Sequence, residues 1–334
     1  MNKTFLITGG AGYIGTNLIY YFLQNNYDII VADNLCNSTL DAICRLEKHF
    51  NKNIKAYIGN LCNKEFTESI FTENNITDVI HLAAKKYIGE SFQHKENYEY
   101  NNNTSTQVLL DCMSKYNVNN IYFASSIAVF GNPMYLPIDN HHPLCPLSPY
   151  AQTKVACEKM IDDWQKQNIG HNAIIFRFTN PVGARTNVLR GDSPTGTNMT
   201  LFPYLIKQLE QGNKIGINGN NHPTKDGSTV RDYIHITDLT EIVYKVCTNN
   251  KISGLKYIIV GNGKITYSVL DVINTLEEIY NKPISYVINP KRENDVPLIE
   301  IDNSDIVAMF DYKPKFLLKD MLNSQLEFER YTHK

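Results

Sequence analysis

The chain has 334 residues, of which 43% are hydrophobic, so it can bury a large core in one big domain or two closely joined domains. Its 32 basic and 34 acidic residues leave a net charge of −2, and no lysine- or arginine-rich tract offers a footprint for nucleic acid or a membrane surface. The apolar run at the N-terminus is too short for a signal peptide or a membrane-spanning helix, so we expect a cytosolic (cytoplasmic) protein.

The cysteines and histidines predict neither disulfides nor a metal centre. The seven cysteines are odd in number and show no Cys-x-x-Cys spacing, and the nine histidines lack the spacing of metal ligands. We therefore expect reduced, structural cysteines and no metal.

The N-terminal segment has the pattern of a dinucleotide-binding fold. An apolar run from Thr4 to Thr8 leads into Gly9-Gly-Ala-Gly12-Tyr-Ile-Gly15 and then into an amphipathic segment from Asn17 to Leu23. This order predicts a strand, a tight turn and a helix. Glycines in the turn let the backbone approach a pyrophosphate, and the helix N-terminus attracts its negative charge.

An acidic residue follows at the distance that this fold requires. The next apolar run, Asp28 to Ala32, ends at Asp33, eighteen residues beyond Gly15. A carboxylate there accepts hydrogen bonds from the ribose hydroxyls and repels a 2′-phosphate. The sequence therefore favours NAD over NADP as the cofactor.

Apolar strands and amphipathic helices continue to alternate as far as Phe178. The predicted strands and helices are, in order, Ile54 to Ile58, Lys64 to Glu73, Asp78 to Ala83, Asn103 to Lys115, Asn120 to Ala124, Pro149 to Lys166 and Ala173 to Phe178. The order predicts an α/β protein with a doubly wound, parallel, Rossmann-type sheet. Ligands of such sheets bind beyond the carboxyl ends of the strands. That rule selects Asn60, Leu82 to Ala84, Ser125-Ser126 and Phe178 to Asn180.

The composition changes after Gly183, where we place a domain boundary. We predict an NAD-binding domain over residues 1–183 and a smaller C-terminal α/β substrate domain over residues 184–334, with a strand near residues 256–260 that returns to the first sheet. Arg231 and Arg292 are the notable cations of the second domain. Each stands near an acidic residue, so it forms either a surface ion pair or a clamp for a pyrophosphate.

Tyr150 and Lys154 have the spacing of a proton-transfer pair. Ser148 is a good helix N-cap and Pro149 suits the first helical position, so the two residues share one face of the following helix. An ammonium beside a phenol stabilises the phenolate, and we expect it to lower the pKa of Tyr150 toward working pH. By itself the spacing also fits a solvated tyrosine and a surface lysine.

Two predicted helices carry apolar stripes at helical spacing. The stripes are Leu109, Met113 and Tyr116 on one helix and Cys157, Met160, Ile161 and Trp164 on the other. At least one stripe has to cover the sheet, and the other could pack against a second copy of the chain.

Several motifs together resemble the UDP-glucose (UDP-galactose) 4-epimerases of the extended short-chain dehydrogenase/reductase family. They are Thr8-Gly-Gly-Ala-Gly-Tyr-Ile-Gly15, Asp33-Asn-Leu-Cys-Asn-Ser38, Gly89-Glu-Ser91, Ser125-Ser126, Tyr150-x-x-x-Lys154, Asn180-Pro-Val-Gly183, Val230-Arg-Asp-Tyr-Ile-His235 and Arg292-Glu-Asn-Asp-Val-Pro297. The resemblance covers nearly the whole chain.

The resemblance implies an NAD-dependent isomerase that interconverts UDP-glucose and UDP-galactose. NAD oxidises C4 of the sugar to a 4-keto intermediate, the sugar rotates, and the hydride returns to its opposite face. Tyr150 is the implied base at the 4-hydroxyl, Lys154 holds the nicotinamide ribose and lowers the tyrosine pKa, and Ser126 bonds the 4-oxygen. A homodimer built from the two striped helices is also implied.

The matching positions give a full set of implied contacts. The implied NAD contacts are Gly9, Gly12, Tyr13, Ile14, Gly15, Asp33, Asn34, Asn37, Ser38, Asn60, Leu61, Leu82, Ala83, Ala84, Lys86, Asn102, Tyr150, Lys154 and Phe178. The implied substrate contacts are Lys86, Ser126, Tyr150, Asn180, Thr200, Leu201, Ile217, Arg231, Arg292, Asp295 and Ile299.

Ile299 bears on the range of substrates. In the family a tyrosine at this position fills the space that an N-acetyl group on the sugar needs, and isoleucine is smaller. The position therefore either admits UDP-N-acetylglucosamine and UDP-N-acetylgalactosamine or is simple core packing.

Three other functions fit the same fold. A sugar-nucleotide dehydratase needs an acid/base pair just after the serine, where this chain has Ile127-Ala128. A decarboxylase of UDP-glucuronate needs a carboxylate-binding arrangement that is not evident in the sequence. A non-catalytic, NAD-binding regulatory protein is the alternative from a different class.

Overall fold

The computed structural model describes residues 3–168, 170–187, 190–193, 199–263, 265–293 and 295–332. The chain forms two compact units. The first comprises Met1–Val129, Pro146–Arg177 and Thr240–Ile258, and the second comprises Phe130–Cys145, Phe178–Leu239 and Ile259–Lys334. The division into domains 1–183 and 184–334 stays a prediction.

A seven-stranded sheet is the centre of the first unit. Its strands are β1 (Thr4–Thr8), β2 (Asp28–Asp33), β3 (Lys55–Ile58), β4 (Asp78–His81), β5 (Asn120–Ser126), β6 (Asn172–Phe178) and β13 (Leu255–Val260). From one edge the order is β3-β2-β1-β4-β5-β6, followed by β13, and the pairs from β3 through to β5 are parallel. This is the Rossmann order, so the predicted fold class is confirmed. β13 is the strand that the sequence predicted near residues 256–260.

Helices α1 to α7 belong to the segments that connect the strands of this sheet. They are α1 (Tyr13–Gln24), α2 (Asp41–Phe50), α3 (Lys64–Thr72), α4 (Ile88–Gln93), α5 (Lys95–Glu99), α6 (Ser105–Lys115) and α7 (Pro149–Gln167), with a π-helical turn at Tyr100–Thr104 and a 3₁₀ turn at Ile127–Phe130. α7 begins as predicted, because the Ser148 hydroxyl accepts a hydrogen bond from the backbone N–H of Ala151 at 3.2 Å.

Both apolar stripes belong to the core of the first unit. Leu109, Met113, Cys157, Ile161 and Trp164 are all buried in one cluster with residues of the sheet. Tyr116 and Met160 pack against the same cluster and are partly buried. Most of both stripes therefore packs on the sheet and on each other within one chain.

The second unit has a smaller core between short sheets and helices. Its strands are β7 (Asn180–Val182), β8 (Ala184–Arg185), β9 (Arg190–Gly191), β10 (Ile215–Asn218), β11 (Val230–Arg231), β12 (Tyr233–His235), β14 (Tyr267–Ser268) and β15 (Tyr286–Asn289). The remaining helices are α8 (Leu201–Glu210), α10 (Val269–Tyr280), α11 (Ser304–Phe310) and α12 (Leu318–Thr332), together with α9 (Ile236–Cys247), which belongs to the first unit from Thr240 onward. Pairing is β10 with β15, β11 with β14, β12 with β7 and β8 with β9.

No helix in the described ranges has the length and apolar composition needed to cross a bilayer. The cytosolic location stays a prediction.

The glycine-rich turn allows a stability test. A Cβ on residue 15 would lie 2.5 Å from the carbonyl oxygen of Gly9 and 2.7 Å from the Cα of Gly10. We expect Gly15→Ala to lower the free energy of unfolding by about 1–3 kcal/mol, because backbone atoms must shift to admit the methyl group. Urea denaturation measures the loss.

Gly89→Ala is the matched control. Gly89 also lies in a helix, α4, and a Cβ there meets nothing within 4 Å. Helix propensity favours alanine at both positions, so only the close approach distinguishes the two variants. Equal unfolding free energies for the two variants would contradict the packing argument.

Candidate active site

Tyr150 and Lys154 lie in the first two turns of α7, and both are buried. The ammonium of Lys154 donates a hydrogen bond to the carbonyl oxygen of Ala124 at 2.7 Å. Its Nζ is 4.7 Å from the ring centroid of Phe123 and 5.9 Å from that of Tyr150. The structure therefore contradicts the alternative of a solvated tyrosine and a surface lysine.

Burial moves the pKa of Tyr150 in the direction opposite to our expectation. Loss of water raises the pKa of its phenol to about 12, because the charged phenolate is disfavoured in a dry site, and a hydrogen bond with Ser126 acts the other way. The protein's own groups thus do not bring this tyrosine to its working pKa. The expectation was wrong because it considered the neighbouring cation and left out the burial.

Lys154 keeps a proton near neutral pH. Burial lowers the pKa of its ammonium to about 8, and electrostatic interactions with Cys157 and Glu158 act against this lowering. Below that pH the cation stays beside Tyr150.

The two adjacent serines at the end of β5 have different partners. The Ser126 hydroxyl accepts a hydrogen bond from the backbone N–H of Ala128 at 3.2 Å, and it is the serine that interacts with Tyr150. Ser125 donates instead to Oε1 of Glu158 at 2.5 Å. Tyr150, Lys154 and Ser126, the predicted catalytic residues, are therefore together in the first unit.

The glycine-rich turn connects β1 to α1 through close backbone contacts. Gly9 has a φ of +66°, and a Cβ there would lie 2.8 Å from the backbone nitrogen of Ala83. Gly12 is the N-cap of α1, and no side chain caps this helix start in the described residues. Tyr13, Ile14 and Gly15 form its first turn. A phosphate oxygen can take the place of the capping side chain, so these residues fit the pyrophosphate of a dinucleotide.

Asp33 connects the turn to the loop after β2. Its Oδ2 accepts from the backbone N–H of Ala11 at 3.1 Å, and its Oδ1 accepts from the N–H of Leu35 at 2.9 Å and the hydroxyl of Ser38 at 3.1 Å. A carboxylate has about four acceptor positions, so one remains for a ribose hydroxyl. Asn34 and Asn37 lie on the same loop.

The other predicted cofactor residues follow the ends of β3 and β4. Asn60 closes a turn by accepting from the N–H of Cys62 at 2.9 Å, and Leu61 is buried. Leu82, Ala83, Ala84 and Lys86 come directly after β4.

Asn102 makes hydrogen bonds through both the oxygen and the nitrogen of its side-chain amide. Its Oδ1 accepts from the N–H of Lys85 at 2.8 Å, and its Nδ2 donates to the carbonyl oxygen of Lys85 at 3.1 Å and to the hydroxyl of Thr153 at 2.9 Å. Asn102 thus holds the segment next to Lys86. Its own contact with a cofactor stays a prediction.

Both predicted clamp arginines have a partner within the second unit. Arg231 donates from Nη2 to Oδ1 of Asp295 at 2.7 Å. When the Asn218 amide is turned so that its oxygen faces Arg292, this oxygen accepts from Nε at 3.0 Å and from Nη2 at 2.9 Å. An ion pair is therefore formed at Arg231, and a guanidinium with five N–H donors can still bind a phosphate.

The remaining predicted substrate residues lie on several elements of the second unit. Asn180 is on β7, Ile217 is buried on β10, and Thr200 and Leu201 begin α8, with the Thr200 hydroxyl donating to Asp192. Phe178, a predicted cofactor residue, ends β6 and is buried. Ile299 is 5% exposed, and its N–H donates to the carbonyl oxygen of Val230 at 3.1 Å.

Sequence reasoning missed Asp232, which is fully buried between Arg231 and Tyr233. Its carboxylate accepts from the hydroxyl of Thr179 at 2.8 Å and from the N–H groups of Asn262 at 2.8 Å and Gly263 at 2.9 Å. Burial raises its pKa to about 7, although these hydrogen bonds act the other way. The available signal was an acidic residue next to Arg231 in the short segment Val230-Arg-Asp-Tyr-Ile.

Residues 5–260 match the model of the NAD dependent epimerase/dehydratase family. The UDP-glucose 4-epimerase of Bacillus subtilis is 35% identical over 324 residues, which cover 95% of this chain and 94% of that protein. The UDP-glucose 4-epimerase of Erwinia amylovora is 37% identical over 297 residues, covering 87% of each.

A solved structure also matches nearly the whole chain. The crystal structure of UDP-glucose 4-epimerase from Bifidobacterium longum in complex with NAD+ and UDP has a TM-score of 0.94 and 35% identity, and the match covers 99% of both chains. The family match spans the glycine-rich turn, Asp33 and the Tyr150–Lys154 pair. The chain therefore belongs to the NAD dependent epimerase/dehydratase family.

Proposed function

We propose that this protein is an NAD-dependent enzyme that interconverts UDP-glucose and UDP-galactose by inverting C4 of the sugar. The observation that carries this function is the buried pair of Tyr150 and Lys154, with Ser126, whose hydroxyl lowers the pKa of the phenol, at the end of β5. Relatives of the same length named as UDP-glucose 4-epimerases support the substrate assignment.

Each of these three residues has a distinct task at the sugar. Tyr150 takes the proton of the 4-hydroxyl and returns it after inversion, and Ser126 donates a hydrogen bond to the same oxygen. Lys154 supplies a fixed cation that favours the phenolate over the phenol. The glycine-rich turn and Asp33 would hold NAD, which would supply the hydride acceptor for C4 and a positive nicotinamide charge that favours the phenolate.

The second unit holds the nucleotide part of the substrate. Arg231 and Arg292 bind the diphosphate, because a guanidinium recognises phosphate oxygens through paired N–H donors. Asp295 orients Arg231 through their 2.7 Å contact. Asn180, Thr200, Leu201 and Ile217 complete the proposed contacts.

Incubation with UDP-galactose, followed by a coupled assay for UDP-glucose, tests this function. An epimerase forms UDP-glucose until equilibrium is reached. A dehydratase forms a 4-keto-6-deoxy sugar, a decarboxylase acts only on UDP-glucuronate, and a non-catalytic NAD-binding protein leaves UDP-galactose unchanged. Any of these three results would refute the proposal.

Tyr150→Phe tests the base. The ring still fills its buried site, so we expect the fold and bound NAD to persist while kcat falls by about 10²- to 10⁴-fold, the usual contribution of a general base. Tyr116→Phe is the matched control, since it removes only the hydrogen bond of its hydroxyl to Glu68. Near-normal turnover in Tyr150→Phe would show that Tyr150 is not the general base.

Ile299→Tyr tests the range of substrates. We propose that the smaller side chain of Ile299 leaves space for a 2-N-acetyl group, so the protein also epimerises UDP-N-acetylglucosamine and UDP-N-acetylgalactosamine. We expect the tyrosine variant to lose most of this activity and keep the activity on plain hexoses, because the larger ring fills the space. If the wild type does not epimerise the N-acetylated substrates, or if the variant has the same substrate preference as the wild type, residue 299 does not control the space for the N-acetyl group.

We also propose a homodimer, as the family resemblance implies. The helical stripes do not support it, because they are buried in the core of one chain. Exposed apolar side chains on and near α4 and α5 are the better support, namely Ile88, Phe92 and Tyr100. We expect light scattering at micromolar concentration to give twice the mass of one chain, and a reduced mass in Phe92→Glu. The mass of a single chain in the wild type would contradict the dimer.

A further inference from the structure

Glu158 lies on α7 one turn after Lys154, and three donors surround its carboxylate. Arg177 on β6 donates from Nε to Oε1 at 3.1 Å and from Nη2 to Oε2 at 2.7 Å. Ser125 on β5 donates from Oγ to Oε1 at 2.5 Å. The side chains of Arg177 and Glu158 are 5% and 3% exposed. Charge-assisted hydrogen bonds of this kind fix a carboxylate in one orientation.

The guanidinium of Arg177 is held on its flat face as well as at its edge. Its central carbon lies 4.5 Å from the ring centroid of Tyr257, a residue of β13. A stacked and bidentate arginine has little freedom to rotate. Glu158 is therefore anchored to β6 and, through Arg177, to β13.

These contacts also fix the position of α7 along β5. Lys154 contacts the carbonyl oxygen of Ala124, and Glu158, one turn later, contacts the hydroxyl of Ser125. Two neighbouring strand residues, Ala124 and Ser125, thus contact two neighbouring turns of the helix. The next strand residue is Ser126, the hydroxyl that interacts with Tyr150. A displacement of α7 along the strand would separate Tyr150 from Ser126.

Glu158 is also part of the charge environment of Lys154. Cys157 and Tyr150 lie on the same helix, and burial raises the pKa of both groups, so both are neutral near pH 7. From β4, His81 is buried with its pKa lowered to about 3, and is neutral too. From β6, Arg177 is paired with Glu158. Among these groups Glu158 is the one anion that favours the charged form of Lys154.

We propose that Glu158, anchored by Arg177 and Ser125, is a positioning residue that fixes α7 on β5 and keeps the Lys154 ammonium beside Tyr150. This role rests on the proposed function, because it acts through Lys154 and Tyr150. The competing role is structural only, in which Glu158 does no more than neutralise Arg177 in the core.

A single and a double variant separate the two roles. Glu158→Gln keeps the size of the side chain, removes its charge and leaves Arg177 unpaired, so we expect a lower Tm. The double variant Glu158→Gln/Arg177→Met leaves neither partner of this pair charged and unpaired. We therefore expect it to regain most of the Tm that Glu158→Gln loses. A structural role predicts that activity returns with it.

The pH profile of kcat is the deciding measurement. Without the negative charge the ammonium is less favoured, so Lys154 releases its proton at lower pH. We therefore expect the alkaline fall in kcat to move to lower pH by about half a unit or more in Glu158→Gln, and by less in the double variant, which also lacks the positive charge of Arg177. A double variant that regains both the wild-type Tm and the wild-type kcat overturns the positioning role, and so does an unchanged profile in Glu158→Gln.

Ser125→Ala tests the position of α7 along β5 without changing a charge. It also tests the positioning role of Glu158 if neither Glu158 variant folds. We expect kcat to fall by about threefold or more, with the alkaline limb unmoved and faster hydrogen exchange of the amides in the first turns of α7. Unchanged kcat together with unchanged exchange overturns the proposal. Failure of the proposed function is distinct, because it appears as absent epimerisation in the wild type before any variant is compared.

Discussion

The buried ammonium of Lys154 is the interaction on which the candidate active site depends. It has exchanged water for the carbonyl oxygen of Ala124 and the face of Phe123, and this burial lowers its pKa to about 8. The same contact joins α7 to β5. One side chain thus supplies the positive charge beside Tyr150 and holds the helix that carries both residues, so charge and position cannot be changed independently.

The predicted cofactor site depends on close contacts between backbone segments and on the hydrogen bonds that the carboxylate of Asp33 accepts. Gly9 and Gly15 allow contacts that any Cβ would block, and Asp33 draws the turn and the loop after β2 together through Ala11, Leu35 and Ser38. The carboxylate therefore shapes the site besides offering an acceptor to a ribose. A substitution at Asp33 would alter the loop as well as the contact.

Buried acids of both units are held by donors from distant parts of the chain. Asp232 accepts hydrogen bonds from Thr179, Asn262 and Gly263, and Glu158 accepts them from Ser125 and Arg177. Each acid lies next to residues with a proposed role in binding or catalysis. Such networks lose more than one contact when a member is removed, because the remaining buried groups are left unsatisfied.

The sequence by itself did not indicate α2, α4 or α5, but it determined the order of the strands of the main sheet, the dinucleotide turn and the helical face shared by Tyr150 and Lys154. These follow from spacing within a few residues, where backbone geometry and side-chain periodicity act locally. Only the tertiary structure decided that both apolar stripes lie in one core, that burial raises the Tyr150 pKa, and that Glu158 pairs with Arg177 and Ser125. Burial and long-range pairing depend on which distant residues surround a group, and a linear pattern does not contain that information.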